Sequence, residues 1–342
     1  MTHKKVKITP VWNCTEEEWL ELRTHGIGGS DAGTVCGINK YNSPYALWAE
    51  KTGVVKREFE GNEATKWGHR LERTIAEAYA EDYNQAVVSW PVILTSMEPG
   101  FEFMFANLDF LIVDPSEQFP AGKVTDWEQE EWPDGVQSIL EVKTSGIASP
   151  GTSHLWSDDS VPESYLLQTT HYGLVTGIKN IVFAALLGGR GLTVRTPQWD
   201  EELAQNLAIV EANFWSQVES MTPPEVDGSE ATEATQQRLY PRHVVGKSFE
   251  GGSELAKLWA EFAEAKRVAE EADKSRKALR ARILQLVGDA EVGTVNGAPL
   301  LTYKSSKDVE SFDAKAFQLA HPDLYSQFLK FKPGSRTLRE VK

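Results

Sequence analysis

Apolar and polar residues recur along this chain with two periods, and the periods mark its elements. In Ser138-Ile139-Leu140-Glu141-Val142-Lys143-Thr144-Ser145 the period is two. That predicts a strand with Ile139, Glu141 and Lys143 on one face and Leu140, Val142 and Thr144 on the other. Upstream, Asn107-Leu108-Asp109-Phe110-Leu111-Ile112-Val113 reads as a second apolar strand that holds Asp109. Residues 87–95 and 101–113 read as strands of a β-meander, with Pro91 interrupting the first and assigning it to a sheet edge. Residues 180–187 form a further, wholly apolar strand.

Helical spacing marks the rest. Thr15 before Glu16, Glu17 and Glu18 is an N-cap with an acidic first turn, so a short helix runs over 15–23. Pro44 opens another, through Trp48 to Lys51. Residues 63–83 carry an apolar stripe of Trp67, Leu71, Ile75, Ala78 and Tyr79, with Glu72 at its edge. Over 162–176 the three-four spacing gathers Tyr165, Gln168 and Tyr172 on one face, while His171 reads as structural. Between the first two helices, Gly26-Ile27-Gly28-Gly29-Ser30-Asp31 lets the backbone approach a neighbour, and Ser30-Asp31 is placed to cap the helix that follows. Its N–H groups and Arg23 together suit an anion.

The C-terminal third differs in kind. Residues 222–252 are polar and Pro-containing, the character of a linker. From 253 to 287, Leu255, Leu258, Phe262, Ala265, Ala269, Ala272, Arg276, Leu279, Ile283 and Leu286 alternate steps of three and four, a heptad seam. At ~1.5 Å per residue that helix reaches on the order of 50 Å. It is expected to pair with the 199–218 helix, whose Leu203, Leu207, Val210, Phe214 and Val218 repeat similarly, or with another subunit. Asn296-Gly297 predicts a hairpin turn, and a basic tail, 330–342, closes the sequence as a possible DNA contact.

Composition narrows the class. With 342 residues and 41% hydrophobic content the chain can bury a substantial core, in about two domains. No stretch approaches the ~20 apolar residues of a membrane span, so a soluble, cytoplasmic protein is expected, without signal or anchor. Cys14 and Cys36 are too few for a disulfide framework and lack zinc-ligand spacing, so they read as free thiols. A net charge of −15 argues against a uniformly phosphate-binding surface. The charge is uneven, however: residues 114–138 hold seven acids and one lysine, and residues 274–282 hold five bases and no acid. A DNA-gripping channel remains compatible with that distribution.

The candidate chemistry lies on the two strands first described. If they are neighbours, Asp109 and Glu141 converge on a divalent cation, with Lys143 aimed at what that cation holds, a site for metal-assisted hydrolysis. Oxygen ligands without a His/Cys cluster favour Mg²⁺ over zinc, with Mn²⁺ able to substitute. Arg23 with Gly-Ile-Gly-Gly-Ser-Asp, Trp67-Gly-His-Arg-Leu-Glu72, Asn-Leu-Asp109, Leu-Glu141-Val-Lys143 and Tyr165-Leu-Leu-Gln168 together resemble, in order and spacing, the YqaJ-type viral recombinase family. That family includes the phage lambda exonuclease and belongs to the PD-(D/E)XK nuclease superfamily.

The resemblance implies an α/β fold, a mixed β-sheet flanked by helices in a restriction-endonuclease-like core over 1–221, followed by the linker and a mostly helical extension over 253–342. It implies a metal-dependent deoxyribonuclease, acting 5′-to-3′ on linear double-stranded DNA in a bacterial host's cytoplasm to leave 3′ single strands for recombination. An endonuclease, a nuclease of other polarity and an inactive DNA-binding module are the alternatives. Residue by residue, it makes Asp109, Glu141 and the Val142 carbonyl metal ligands, and Lys143 the group that orients or deprotonates water. Glu72 becomes the helix carboxylate beside the metal, Gln168 the holder of nucleophile or phosphate, and Arg23 and Ser30 a pocket for a 5′-phosphate. A single-strand-annealing recombinase as partner and a trimeric assembly are further implications. One departure is visible: relatives often carry Pro-Asp-Gly at the metal aspartate, and here Leu108-Asp109-Phe110 stands instead.

Overall fold

A computed structural model describes residues 3–56, 63–145, 156, 160–331, 334 and 336–339. The chain divides into two compact units, Met1–Pro241 and Arg242–Lys342. The first carries β1 (Val6–Pro10), α1 (Glu16–Leu22), β2 (Ile27–Gly28), α2 (Gly29–Val35), α3 (Pro44–Lys51), α4 (Glu63–Tyr83), β3 (Ala86–Ser89) and β4 (Val92–Ser96). It continues through β5 (Met104–Ala106), β6 (Phe110–Val113), β7 (Lys123–Asp126), β8 (Val136–Ser145), α5 (Glu163–Thr176), β9 (Ile181–Leu187), β10 (Leu192–Arg195), α6 (Glu201–Glu219) and α7 (Glu230–Leu239). The second carries α8 (Gly252–Val287), β11 (Val292–Val295), β12 (Ala298–Thr302), α9 (Ala314–Ala320) and α10 (Pro322–Gln327).

The architecture is the expected α/β one. Six strands in the order β10-β9-β8-β6-β3-β7 make a mixed sheet, with β8 parallel to β9, β3 parallel to β7 and the other pairs antiparallel. Period two in β8 separates its faces. Leu140 and Val142 pack with Phe110, Ile112 and Val182 against Ile75, Ala76 and Tyr79 of α4. Ile139 packs with Leu111, Phe183 and Ala185 in a second core that holds Tyr172 and Val175 of α5. The central strands are therefore covered on both sides, as their apolar runs require.

Several sequence expectations are corrected. Residues 87–113 do not form a meander: β3 joins the six-stranded sheet, whereas β4 and β5 lie in a four-stranded sheet ordered β1-β4-β5-β2. Pro91 marks the switch between sheets rather than an edge, and its carbonyl accepts the Val11 N–H at 3.0 Å. The long 114–138 connection holds β7, which adds to the sheet beside β3, and it buries Phe119. On α4 the buried stripe is Ile75, Ala76, Tyr79 and Ala80; Trp67 is exposed and lies under the Arg70 guanidinium.

Residues 222–252, expected as a linker, contain α7, which buries Thr232 and Thr235 and joins Thr232 Oγ1 to Ser43 Oγ at 2.7 Å. The first unit thus extends past residue 221 to Pro241. Helix α6 spends its repeat inside that unit, with Leu207, Phe214 and Val218 buried there. Parts of the basic tail lie outside the described residues. Among the described residues, no helix is long and apolar enough to cross a membrane.

A buried ion pair ties α5 to α6. His171 Nδ1 stands 2.8 Å from Glu211 Oε2, and Nε2 stands 2.9 Å from the Phe105 carbonyl, with both side chains fully buried. Both partners are acceptors, so both ring nitrogens donate and the ring is an imidazolium. Burial alone would lower its pKa, but the Glu211 carboxylate and the Phe105 carbonyl raise it above the ordinary 6.5. The pair's stabilisation is then complete below pH 6.5 and is lost as pH rises through the raised folded-state value. Urea unfolding should show the stability gap between the native chain and His171→Gln shrinking as pH rises above neutrality. A gap that does not vary with pH would show that the ring is neutral.

Candidate metal centre and phosphate pocket

Antiparallel pairing of β6 with β8 sets Phe110 opposite Leu140, and so brings Asp109, in the bend just before β6, beside Glu141. The adjacency is fixed by a hydrogen bond from the Val142 N–H to Asp109 Oδ2 at 2.9 Å. Glu141 is fully buried. Its Oε1 accepts from Lys143 Nζ and, at 2.8 Å, from Gln168 Nε2. The Gln168 carbonyl in turn accepts from Lys143 at 3.2 Å, and its amide donates to the Tyr172 hydroxyl at 2.7 Å. Tyr165 completes the wall with its ring 4.7 Å from Lys143 Nζ. The face predicted for Tyr165, Gln168 and Tyr172 is therefore the face turned to the acids.

Three carboxylates share this place, and each is harder to ionise than usual. Burial, then the Asp109 and Glu141 charges, raise Glu72 to about 8, against a weaker opposing pull from Lys143. Burial and then Asp109 raise Glu141 to about 7. Burial raises Asp109 as well, despite Lys143 and the Val142 N–H. One ammonium does not balance three acids in a desolvated site. Glu141 Oε2 is moreover buried with no hydrogen-bond partner among the described residues. An orphaned anionic oxygen amid hard oxygen donors fits a divalent cation. Among the described residues no set of three His, Cys, Asp or Glu side chains is already gathered as a cage. Glu141 Oε1 is instead engaged by Lys143 and Gln168.

Arg23 and Ser30, separated by a turn and β2, do meet: Arg23 Nη2 donates to Ser30 Oγ. Helix α2 starts earlier than its sequence suggests, with Gly28 as N-cap and Asp31 in the first turn accepting the Gly28 N–H at 3.2 Å. Asp31 is buried between two cations, with Lys51 Nζ at 2.7 Å and Arg23 Nη2 at 3.9 Å. Burial would raise its pKa, but Lys51 and Arg23 overcome this and hold it at about 2. Lys51 also donates to the Arg23 carbonyl at 2.7 Å, and the Trp19 ring lies 4.6 Å from the Arg23 guanidinium. Arg23, Ser30, Trp19, Thr34, Asn39 and His69 line a cavity of about 630 Å³. His69 also stands 3.6 Å from Glu72, so the cavity borders the acid cluster.

Gly29 joins the two halves of the site. A Cβ there would stand 2.4 Å from the Tyr172 ring and 2.9 Å from the Gln168 carbonyl, so only glycine lets α2 lie against α5. Lys51, Asp31 and His69 take part in this arrangement without having been marked as site residues by the sequence. Only the Gly-rich approach at 26–29 signalled the contact; the Lys51 link spans 20 residues and is purely tertiary.

Residues 18–179 match the family model of the YqaJ-like viral recombinase domain. The "Uncharacterized protein YqaJ" of Bacillus subtilis (strain 168) is 29% identical over 322 residues, covering 92% of this chain and 91% of that protein. Among solved structures, an alkaline exonuclease, LHK-Exo, from Laribacter hongkongensis aligns with a TM-score of 0.45 and 16% identity, over 60% of this chain and 94% of its own. LHK-Exo in complex with dAMP aligns with a TM-score of 0.46 at the same identity and coverage.

Proposed function

We propose that this chain, whose residues 18–179 match the model of the YqaJ-like viral recombinase domain, is a Mg²⁺-dependent exonuclease acting 5′-to-3′ on linear double-stranded DNA. The observation that carries the reading is Glu141: fully buried, with one oxygen orphaned, beside Asp109, Glu72 and Lys143. Asp109 and Glu141, with the Val142 carbonyl, would hold Mg²⁺ or Mn²⁺, with Glu72 adjoining. The bound ion would supply Lewis-acid charge at the phosphate and a more acidic water.

The chain's own groups do the rest. Burial opposes the charge on Lys143, but Glu141 and Asp109 outweigh it and raise its pKa. As an ammonium, Lys143 orients water and neutralises charge on the phosphate. Gln168, held by Glu141 and Tyr172, presents a fixed amide beside that ammonium. Arg23 and Ser30 receive the 5′-phosphate of the strand being shortened, and Asp31 with Lys51 keeps the guanidinium in place. The 3′ strands left behind suit a single-strand-annealing recombinase.

The test is a linear duplex with a 5′-phosphate on one end and a 5′-hydroxyl on the other, incubated with Mg²⁺ or with EDTA. Nucleotides should be lost from the phosphorylated end only, and EDTA should stop the loss. Arg23→Ala should erase the end preference, costing roughly tenfold or more at the phosphorylated end, as befits removal of one charge-assisted contact. Cutting of closed circles would make the protein an endonuclease. DNA binding without any cleavage would leave an inactive recombination module.

A further inference from the structure

Helix α8 presents its heptad seam to solvent: Leu255, Leu258, Phe262, Leu279, Ile283 and Leu286 are 44–88% exposed. Large apolar residues in a continuous seam on a 36-residue helix call for a partner surface. The order of sizes along the seam says what that partner is. Reading inward from both ends, leucine meets leucine (Leu255, Leu286), then Leu258 meets Ile283, Phe262 meets Leu279, Ala265 meets Arg276, and Ala269 meets Ala272. The seam is nearly the same in either direction, with large residues outside and alanines at the centre. Two such helices laid antiparallel bring each a position against a d position, and the central alanines let their axes approach closely.

We propose that α8 pairs antiparallel with α8 of a second copy of this chain, about a two-fold axis between Glu270 and Glu271. The charges agree. About that axis the segment 274–282, with five bases and no acid, lies against residues 259–267, which hold two acids and two bases, and not against itself. At the flanks Glu261 meets the partner's Arg282, Lys266 meets the partner's Asp273, and Trp259 meets the partner's Arg280. Arg276, at the seam, faces the small Ala265 of the partner subunit, which leaves room for its stem. A parallel pair would instead set Arg276 on the partner's Arg276 and align the two basic segments. The interface is isologous and closes at two copies. It is independent of the proposed reaction.

The experiment uses the full chain with Cys14→Ser and Cys36→Ser, since both cysteines are free. Leu255→Cys and Leu286→Cys chains are oxidised mildly, separately and as an equimolar mixture. A disulfide-linked dimer should form in the mixture alone, because in the antiparallel pair identical positions stand roughly 45 Å apart. Cross-linking of Leu255→Cys with itself would establish a parallel pair and overturn the proposal, and absence of the mixed species would overturn it too. Adding Glu261→Arg should weaken pairing roughly tenfold through two like-charge contacts. Adding Arg282→Glu as well should restore it, a rescue that a parallel pair, with Glu261 beside the partner's Lys266, would not show.

Discussion

Lys143→Ala should bind duplex DNA with nearly native affinity and cut it at least about 10³-fold more slowly, the size of effect expected when a preorganised charge aimed at the transition state is removed. The reason lies in the ledger of charge around Glu141. Lys143 is the cation in contact with its Oε1, and it also bonds Gln168, so its loss frees the amide and leaves the three acids without their nearby ammonium. Single-turnover cleavage with saturating Mg²⁺ separates this from weakened binding, because a defect in binding alone is overcome by excess enzyme. Cleavage within tenfold of native under those conditions would remove Lys143 from the chemistry. Asp109→Asn serves as the companion: it should lower the affinity for Mn²⁺, read directly by titration, whether or not any DNA is cut.

The second large effect is expected in stability. Asp31→Asn removes the carboxylate 2.7 Å from a lysine whose side chain is 3% exposed. Breaking one side of a buried ion pair costs on the order of 3–5 kcal/mol. The variant should therefore unfold at a markedly lower urea concentration, and Arg23, no longer held, should lose its discrimination for a 5′-phosphate. The pH dependence has a definite sign. Asp31 titrates near 2 in the folded chain against an ordinary 3.8, so its contribution is present above pH 3.8 and is lost as pH falls through about 2. That shift corresponds to about 2 kcal/mol. The gap between the native chain and Asp31→Asn should accordingly narrow through this acid window. A substitution that leaves the urea midpoint unchanged at neutral pH would mean that the pair is solvated and dispensable.

How much of this was legible in the sequence depends on the range of the interaction. Alternation in residues 138–145 is a local pattern, and it correctly sets Glu141 and Lys143 on one face of β8. Thr15 is the N-cap that the sequence suggests, with Glu18 completing a capping box, and Asn296-Gly297 makes the hairpin turn, both residues of that pair with positive φ. That Asp109 neighbours Glu141 needed the pairing of β6 with β8, which no local pattern states. Pro91 misled because a missing N–H suits a strand edge and a break between sheets equally well. Helix α7 was hidden because what it buries is threonine, so its apolar period is weak. Lys51 and Glu211 look like surface charges in the sequence. Their partners, Asp31 and His171, lie 20 and 40 residues away and are reached only through the fold.

The contact of Gly29 with Tyr172 and Gln168 has a consequence for the products. It sets the helix that carries Ser30 and Asp31 directly on the Tyr172 ring and the Gln168 backbone of α5, with no side chain at position 29 to give. In the proposed reaction that seam acts as a caliper: the span from the strand's terminus to the bond being broken is set by protein geometry, not by base sequence. Every released piece should then have one length on any template. A larger residue at position 29 would wedge the caliper open and show itself as ragged products as well as slow ones.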